Sequence, residues 1–191
     1  MVDYLDWPQI PKDLELLVLD YINKTDTSHT YDNYPIDESN INWDDSIGCS
    51  LFELDKKKYN AAEFIFLLDV PAELKDWVTK NISEKYDMVS IQIMTGGTQI
   101  LPHVDGYRKV AYNYIISAVP ETTTCFYVPV EEFKSHKFYS ETYIPYERLT
   151  LVEEHRIPKN TWHKLDVQKI HSVEQIDRNI PRIAITLSIL S

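Results

Sequence analysis

A chain of 191 residues with 43% hydrophobic and 12% aromatic content can bury one substantial core, which excludes an intrinsically disordered segment. Its 19 basic and 30 acidic side chains, net −11, exclude a general binder of nucleic acid or anionic membrane, whose affinity would rest on clustered cations. The charge is unevenly placed: residues 1–55 carry 13 acidic and 2 basic side chains, while residues 56–191 carry 17 of each sign.

The N-terminus MVDYLDWPQI is acidic and has no apolar run of export length, so a cytoplasmic location with Cys49 and Cys125 reduced is expected. No stretch approaches the roughly 20 apolar residues that a membrane-spanning helix needs. In PKDLELLVLDYINK, Leu14, Leu17, Val18, Tyr21 and Ile22 recur at helical spacing, with Pro11 suited to the first turn. Residues 24–48 follow neither period and are rich in Asp, Asn, Ser and Thr, which predicts a long acidic surface loop able to act as a lid. CSLFEL and AEFIFLLDV are strand candidates, and PAELKDWVTKNI is a second helix starting at Pro71.

From Met88 onward the pattern changes to short β-rich segments bounded by turn residues: MVSIQIM, TQILPHV, KVAYNYIIS, TTTCFYVPV, RLTLVEEHRI, TWHKLDV, KIHSVEQ and RIAITLSIL. About eight strands at regular spacing predict a jelly-roll sandwich or barrel. The chain is therefore expected to be one α+β domain over 1–191. Residues 1–85 supply helices, the acidic loop and supporting strands, and 86–191 form the β core.

A jelly roll is a scaffold, so function rests on particular residues. His103-Val104-Asp105 places an imidazole and a carboxylate on one side of a strand, able to grip one metal ion. With 6 His and 30 acidic residues, about one His-x-Asp/Glu arises by chance, so the pair needs a third ligand. His171, 68 residues on, supplies one, and two histidines with one carboxylate leave open positions on Fe(II) where a cosubstrate and O2 can bind side by side. Eleven residues later, Arg182 opens an almost wholly apolar strand, a costly place for a guanidinium without an anionic partner. Thr186 and Ser188 share its face and can complete an anion cradle. His163 is a rival third ligand, but it stands 19 residues before Arg182 and is assigned to the rim or outer surroundings of the site.

In order and spacing, His103, Asp105, His171 and Arg182 resemble the Fe(II)/2-oxoglutarate-dependent dioxygenases, and the ending HSVEQIDRNIPRIAITLSI is similar to small phage and bacterial members. The resemblance covers roughly Asp87 to Leu190 and implies a double-stranded β-helix, the jelly-roll or cupin-like barrel, with supporting N-terminal helices. It implies Fe(II) held by His103, Asp105 and His171, and 2-oxoglutarate chelating the metal with its far carboxylate on Arg182. It further implies O2 as the oxidant, ascorbate as a supporting reductant, and release of succinate and CO2 as a C–H bond is hydroxylated. Gln92 lies where relatives often put a polar 2-oxoglutarate contact, and Arg108 with the run Tyr112, Asn113 and Tyr114 resembles positions lining the cosubstrate or substrate pocket, although strand alternation turns Asn113 away from Tyr112 and Tyr114. Two residues after the arginine, where many relatives carry Ser or Thr, this chain has Ala184, and Thr186 is the substitute hydroxyl. Collagen-type prolyl hydroxylases use Lys in place of this Arg.

The substrate implied is an amino-acid side chain in a peptide or a small metabolite, neutral or basic if the acidic loop covers the site. Nucleic acid and membrane are not expected as partners, and no feature sets an oligomeric state. Two competing readings are a cupin-like metalloenzyme that does not use 2-oxoglutarate and a non-enzymatic jelly-roll binding module.

Overall fold

The computed structural model describes residues 2–25, 56–106, 108–131, 136–138 and 141–190. Residues 26–48 of the acidic loop and the CSLFEL segment lie outside the described residues. Two six-stranded antiparallel sheets face each other. The first has the order β1 (Val2–Leu5), β10 (Trp162–Asp166), β5 (Arg108–Ser117), β12 (Arg182–Leu190), β3 (Met88–Thr95), β2 (Glu63–Leu67). The second runs β7 (His136–Phe138), β8 (Glu141–Tyr143), β4 (Gln99–Val104), β11 (His171–Glu174), β6 (Thr123–Pro129), β9 (Leu149–Arg156). The strands β3, β4, β5, β6, β9, β10, β11 and β12 cross between the sheets so that first and last pair, third pairs last, and second pairs seventh, which is jelly-roll connectivity.

Both predicted helices form, α1 over Lys12–Lys24 and α2 over Ala72–Asn81, each with proline at its N-cap. Their apolar stripes, Leu14 and Val18 on α1 and Leu74 and Val78 on α2, pack on the outer face of the first sheet. There they meet Ile91, Ile93, Tyr112, Tyr114, Trp162, Ile183, Ile185 and Leu187. The same cover explains why β12 is buried from Arg182 to Ser188: helices lie on one face and the second sheet on the other, so it reads as a continuous apolar run. The Trp162 indole N–H donates to the Pro8 carbonyl at 3.0 Å and Trp7 packs between Tyr112, tilted, and Trp162, edge-on, tying the N-terminal segment to this layer.

Three strands go beyond the expected set. VDYL forms β1 at a sheet edge against β10, and β7 and β8 are three-residue strands, β7 at the edge and β8 between it and β4, in a stretch without alternation. The β3–β4 turn depends on glycine: Gly96 has φ +75°, and a Cβ on Gly97 would lie 2.3 Å from the backbone of Ala61.

Candidate metal centre

His103 and His171 are direct register partners across β4 and β11, so both imidazoles project side by side from the face that looks toward the first sheet. Their ring centroids are 4.3 Å apart. Pro102 of β4 cannot donate to a ladder, and the β4–β11 pairing slips by a bulge just beyond this pair. β4 ends at Val104, and Asp105 follows it, held by its N–H to the Val167 carbonyl at 3.1 Å. Gln168 pins the turn by donating from Nε2 to the carbonyls of Asp105 at 2.9 Å and Arg108 at 2.6 Å.

All three candidate ligands are buried, and their ligand atoms lie within 4.8 Å of one another. The Asp105 Oδ1 atom stands 3.3 Å from His103 Nε2 and 4.0 Å from His171 Nε2. Ligands bound about 2.1 Å from one ion stand about 3 Å apart when adjacent, so only slight closure is needed. The histidines are also prepared in their hydrogen bonding. His103 Nδ1 donates to the Leu101 carbonyl at 2.8 Å and His171 Nδ1 to the Lys169 carbonyl at 2.9 Å. A carbonyl can only accept, so each Nδ1 carries the proton and each Nε2 offers a lone pair.

Burial and the neighbouring His103 pull the His171 imidazole down to about 4, so at neutral pH it is the neutral ligand form. Burial alone would raise the Asp105 carboxyl, but the Arg108 guanidinium beside it outweighs burial and holds the group below the usual carboxylate range. Arg108 Nη2 lies 2.6 Å from Asp105 Oδ2, and its guanidinium stacks on the Phe66 ring at 5.3 Å. Both Asp105 oxygens are sealed from solvent with no aligned hydrogen bond. A buried carboxylate flanked by two lone-pair nitrogens is a donor set that fits a divalent transition metal.

Arg182, Ala184, Thr186 and Ser188 occupy the face of β12 turned toward the second sheet, where Ala184, Ala111 and Ile115 pack with Phe126. Phe126 is the register partner of His171, so these residues and the three ligands look into one interior. Arg182 is 3% exposed, and its contact within hydrogen-bonding range is the Met94 Sδ at 3.6 Å; no carboxylate pairs with it among the described residues. Burial pulls its guanidinium down to about 10. Gln92 and Asn113 are buried and register with the inward residues Ala184 and Thr186. The Thr186 hydroxyl donates to Asn113 Oδ1 at 2.7 Å.

Two placements differ from expectation. Tyr112 lies on the outer face, packed against Trp7 beneath the helices, and is not brought to the metal centre because β alternation puts it back to back with Asn113. Of the two positions expected for His163, the rim and the outer surroundings of the site, the first is excluded: the residue has no exposure, and its Nε2 is buried without a partner among the described residues. Arg108 as the carboxylate's ion-pair partner and Gln168 as the staple under it carry no spacing signal, since both contacts arise from the turn after β4.

No protein-family model matches this sequence, and no curated protein matches it. Among solved structures, E. coli ycfD superposes with a TM-score of 0.42 at 7% identity over 68% of this chain. L-ribose isomerase from Acinetobacter sp. DL28, in complex with L-ribose, gives 0.38 at 15% identity over 68%. The chain spans 33% of the former's length and 59% of the latter's. No helix among the described residues is long and apolar enough to cross a membrane.

Proposed function

We propose that the protein is an Fe(II)- and 2-oxoglutarate-dependent dioxygenase that hydroxylates an unactivated C–H bond of an amino-acid side chain or a small metabolite. The observation that carries this reading is Arg182: a buried guanidinium with no anionic partner among the described residues, on the interior face across from two lone-pair imidazoles and a carboxylate. A buried cation is sustained by a partner, and a carboxylate matches its planar fork. Thus one interior offers a metal site and a receptor for an acid, which a structural metal site alone does not require.

When bound, Fe(II) would supply the O2 chemistry that couples decarboxylation of 2-oxoglutarate to substrate oxidation. The chain's own contribution is placement. His103, Asp105 and His171 would hold the ion on one side and leave its other side open. Arg108 keeps Asp105 ionised, and the Leu101 and Lys169 carbonyls keep both Nε2 lone pairs inward. Arg182 would orient the far carboxylate, with Gln92, Asn113 and Thr186 as polar lining and the Phe126 layer limiting water.

Turnover tests the reading. Protein incubated with Fe(II), ascorbate, 2-oxoglutarate and O2 against panels of amino acids, peptides and small metabolites is expected to release succinate in step with a product heavier by about one oxygen atom. A protein that binds iron tightly yet neither binds nor consumes 2-oxoglutarate under any panel would contradict it, leaving a metalloenzyme of other chemistry.

A further inference from the structure

The face of the second sheet turned away from the metal centre leads to three tyrosines that the proposed reaction does not use. Tyr127 of β6 follows Phe126, and its backbone N–H donates at 3.0 Å to the carbonyl of Ile170, the residue before His171. Alternation puts Tyr127 on the outer face together with Ser172 and Glu174 of β11. There its hydroxyl stands 3.1 Å from that of Ser172, the residue bonded to His171, and donates to Glu174 Oε1. Tyr146 donates to the same carboxylate oxygen at 3.0 Å. The Tyr146 ring lies 6.0 Å from that of Tyr127 and 4.9 Å from that of Tyr59, centroid to centroid. The Tyr59 hydroxyl donates to Glu147 Oε1 at 3.0 Å, and Glu147, which also pairs with Lys58, is 58% exposed in its side chain.

Rings in succession are ordinary packing; what sets these apart is that each phenol has a carboxylate placed to take its proton. A tyrosine that gives up an electron must also shed its O–H proton, which needs an acceptor within hydrogen-bond reach. Burial first and Glu174 next hold the Tyr127 and Tyr146 phenols above the ordinary tyrosine range, so both carry that proton at neutral pH. The series starts beside a metal ligand and ends at a solvent-exposed carboxylate.

We propose that Tyr127, Tyr146 and Tyr59 form a relay that carries one oxidising equivalent from the metal centre to the surface when no substrate is there to receive it. The proposal rests on the 2-oxoglutarate reading above and adds a protective path to it. Tyr127 gives one electron to the oxidised metal centre, across the Ser172–His171 link, and its proton to Glu174. Tyr146 then reduces the Tyr127 radical: its proton passes to Glu174 as the one held there returns to Tyr127. Tyr59 reduces Tyr146 in turn, giving its proton to Glu147 while Glu174 returns its own to Tyr146. Glu147 releases that proton to water, and one solvent proton enters at the metal centre to match the electron. Ascorbate restores Tyr59 with one electron and one proton, and reduces the iron by the one electron that still separates it from Fe(II).

The test is freeze-quench EPR on protein loaded anaerobically with Fe(II) and 2-oxoglutarate, then mixed with O2-containing buffer without ascorbate or any other substrate. Wild type is expected to show a radical signal with tyrosine hyperfine structure, and a nitroso spin trap in the same mixture should add to the peptide that contains Tyr59. Tyr127→Phe should release the same succinate in one turnover, with the radical reduced at least about tenfold and no adduct on Tyr59. Glu174→Gln, which cannot take the proton, should act likewise. Tyr59→Phe should keep the radical and slow its decay severalfold when ascorbate is added afterwards. Three results each overturn the relay and leave the cosubstrate reading intact: 2-oxoglutarate bound but not turned over without substrate, succinate released from wild type with no radical, or a radical undiminished in Tyr127→Phe. If Tyr127→Phe or Glu174→Gln fails to fold, judged by its melting transition, the adduct on Tyr59 and the Tyr59→Phe variant decide, and an unlabelled Tyr59 overturns the relay. Absence of both 2-oxoglutarate binding and succinate release overturns the cosubstrate reading, and the relay with it.

Discussion

Replacing Arg182 by methionine is expected to raise the melting temperature and at the same time abolish useful affinity for 2-oxoglutarate. Methionine has a similar length and flexibility, so the packing of the Arg182 stem is largely preserved. What disappears is a desolvated cation with no carboxylate among the described residues and only a thioether contact at 3.6 Å. Replacing buried charge by apolar groups of similar volume stabilises by about 1–4 kcal/mol where the charge is poorly compensated, which in a domain of this size is a rise of a few to about ten degrees. Binding moves the other way. Two charge-assisted hydrogen bonds to one carboxylate contribute roughly 3–6 kcal/mol, so their loss weakens binding by about 100-fold or more. Metal content should be unaffected. Scanning calorimetry and ligand titration on the same preparation check both halves. A variant that loses stability while keeping its affinity would show Arg182 to be a packing residue.

The second large effect belongs to Asp105. Asp105→Ala removes the one carboxylate of the triad and leaves the Arg108 guanidinium, 12% exposed in its side chain, without its partner at 2.6 Å. Iron affinity should fall by more than about 100-fold, beyond what loss of a group outside the ligand set costs. The metal-free protein should also lose about 3–5 kcal/mol, the cost of breaking a buried pair from one side. The double variant Asp105→Ala/Arg108→Met separates the two contributions: it should regain most of the stability and none of the metal affinity. Equilibrium dialysis with Fe(II) and chemical denaturation provide the numbers. Because the folded carboxyl is held below its ordinary value of 3.8, its stabilising share is complete above that pH. It is lost only as the pH falls below it, so the wild-type penalty for removing Asp105 should be constant from pH 5 to 8.

The candidate metal ligands are legible in the sequence because coordination demands residue types, and His103, Asp105 and His171 carry the demand in their spacing. Strand alternation likewise separated Asn113 from Tyr112, and the structure adds which side is the interior. Other features depend on register, which a linear pattern does not contain. His103 and His171 meet because β11 pairs β4 at that one pair of residues. His163 has a full burial that could not be inferred from its neighbours Trp162 and Lys164, because two further strands and the opposing sheet are what cover it. β1 carries no signal in the sequence for a different reason: two of its four residues face solvent at an edge, so VDYL has no apolar face to display. Arg108 is a case of a residue placed near the pocket by resemblance whose contact, the Asp105 carboxylate, only the turn geometry reveals.

On the proposed function, one buried interior would hold both a two-histidine, one-carboxylate metal centre and, on Arg182, the acid that binds beside the metal. Anaerobic titration of the protein with Fe(II) and then 2-oxoglutarate, followed by visible absorption, tests it most directly. The predicted result is a weak metal-to-ligand charge-transfer band that grows with 2-oxoglutarate, saturates at one per chain, and is absent in the Arg182→Met variant loaded with the same iron. Iron binding with no band at any 2-oxoglutarate concentration, or a band undiminished in Arg182→Met, would contradict it.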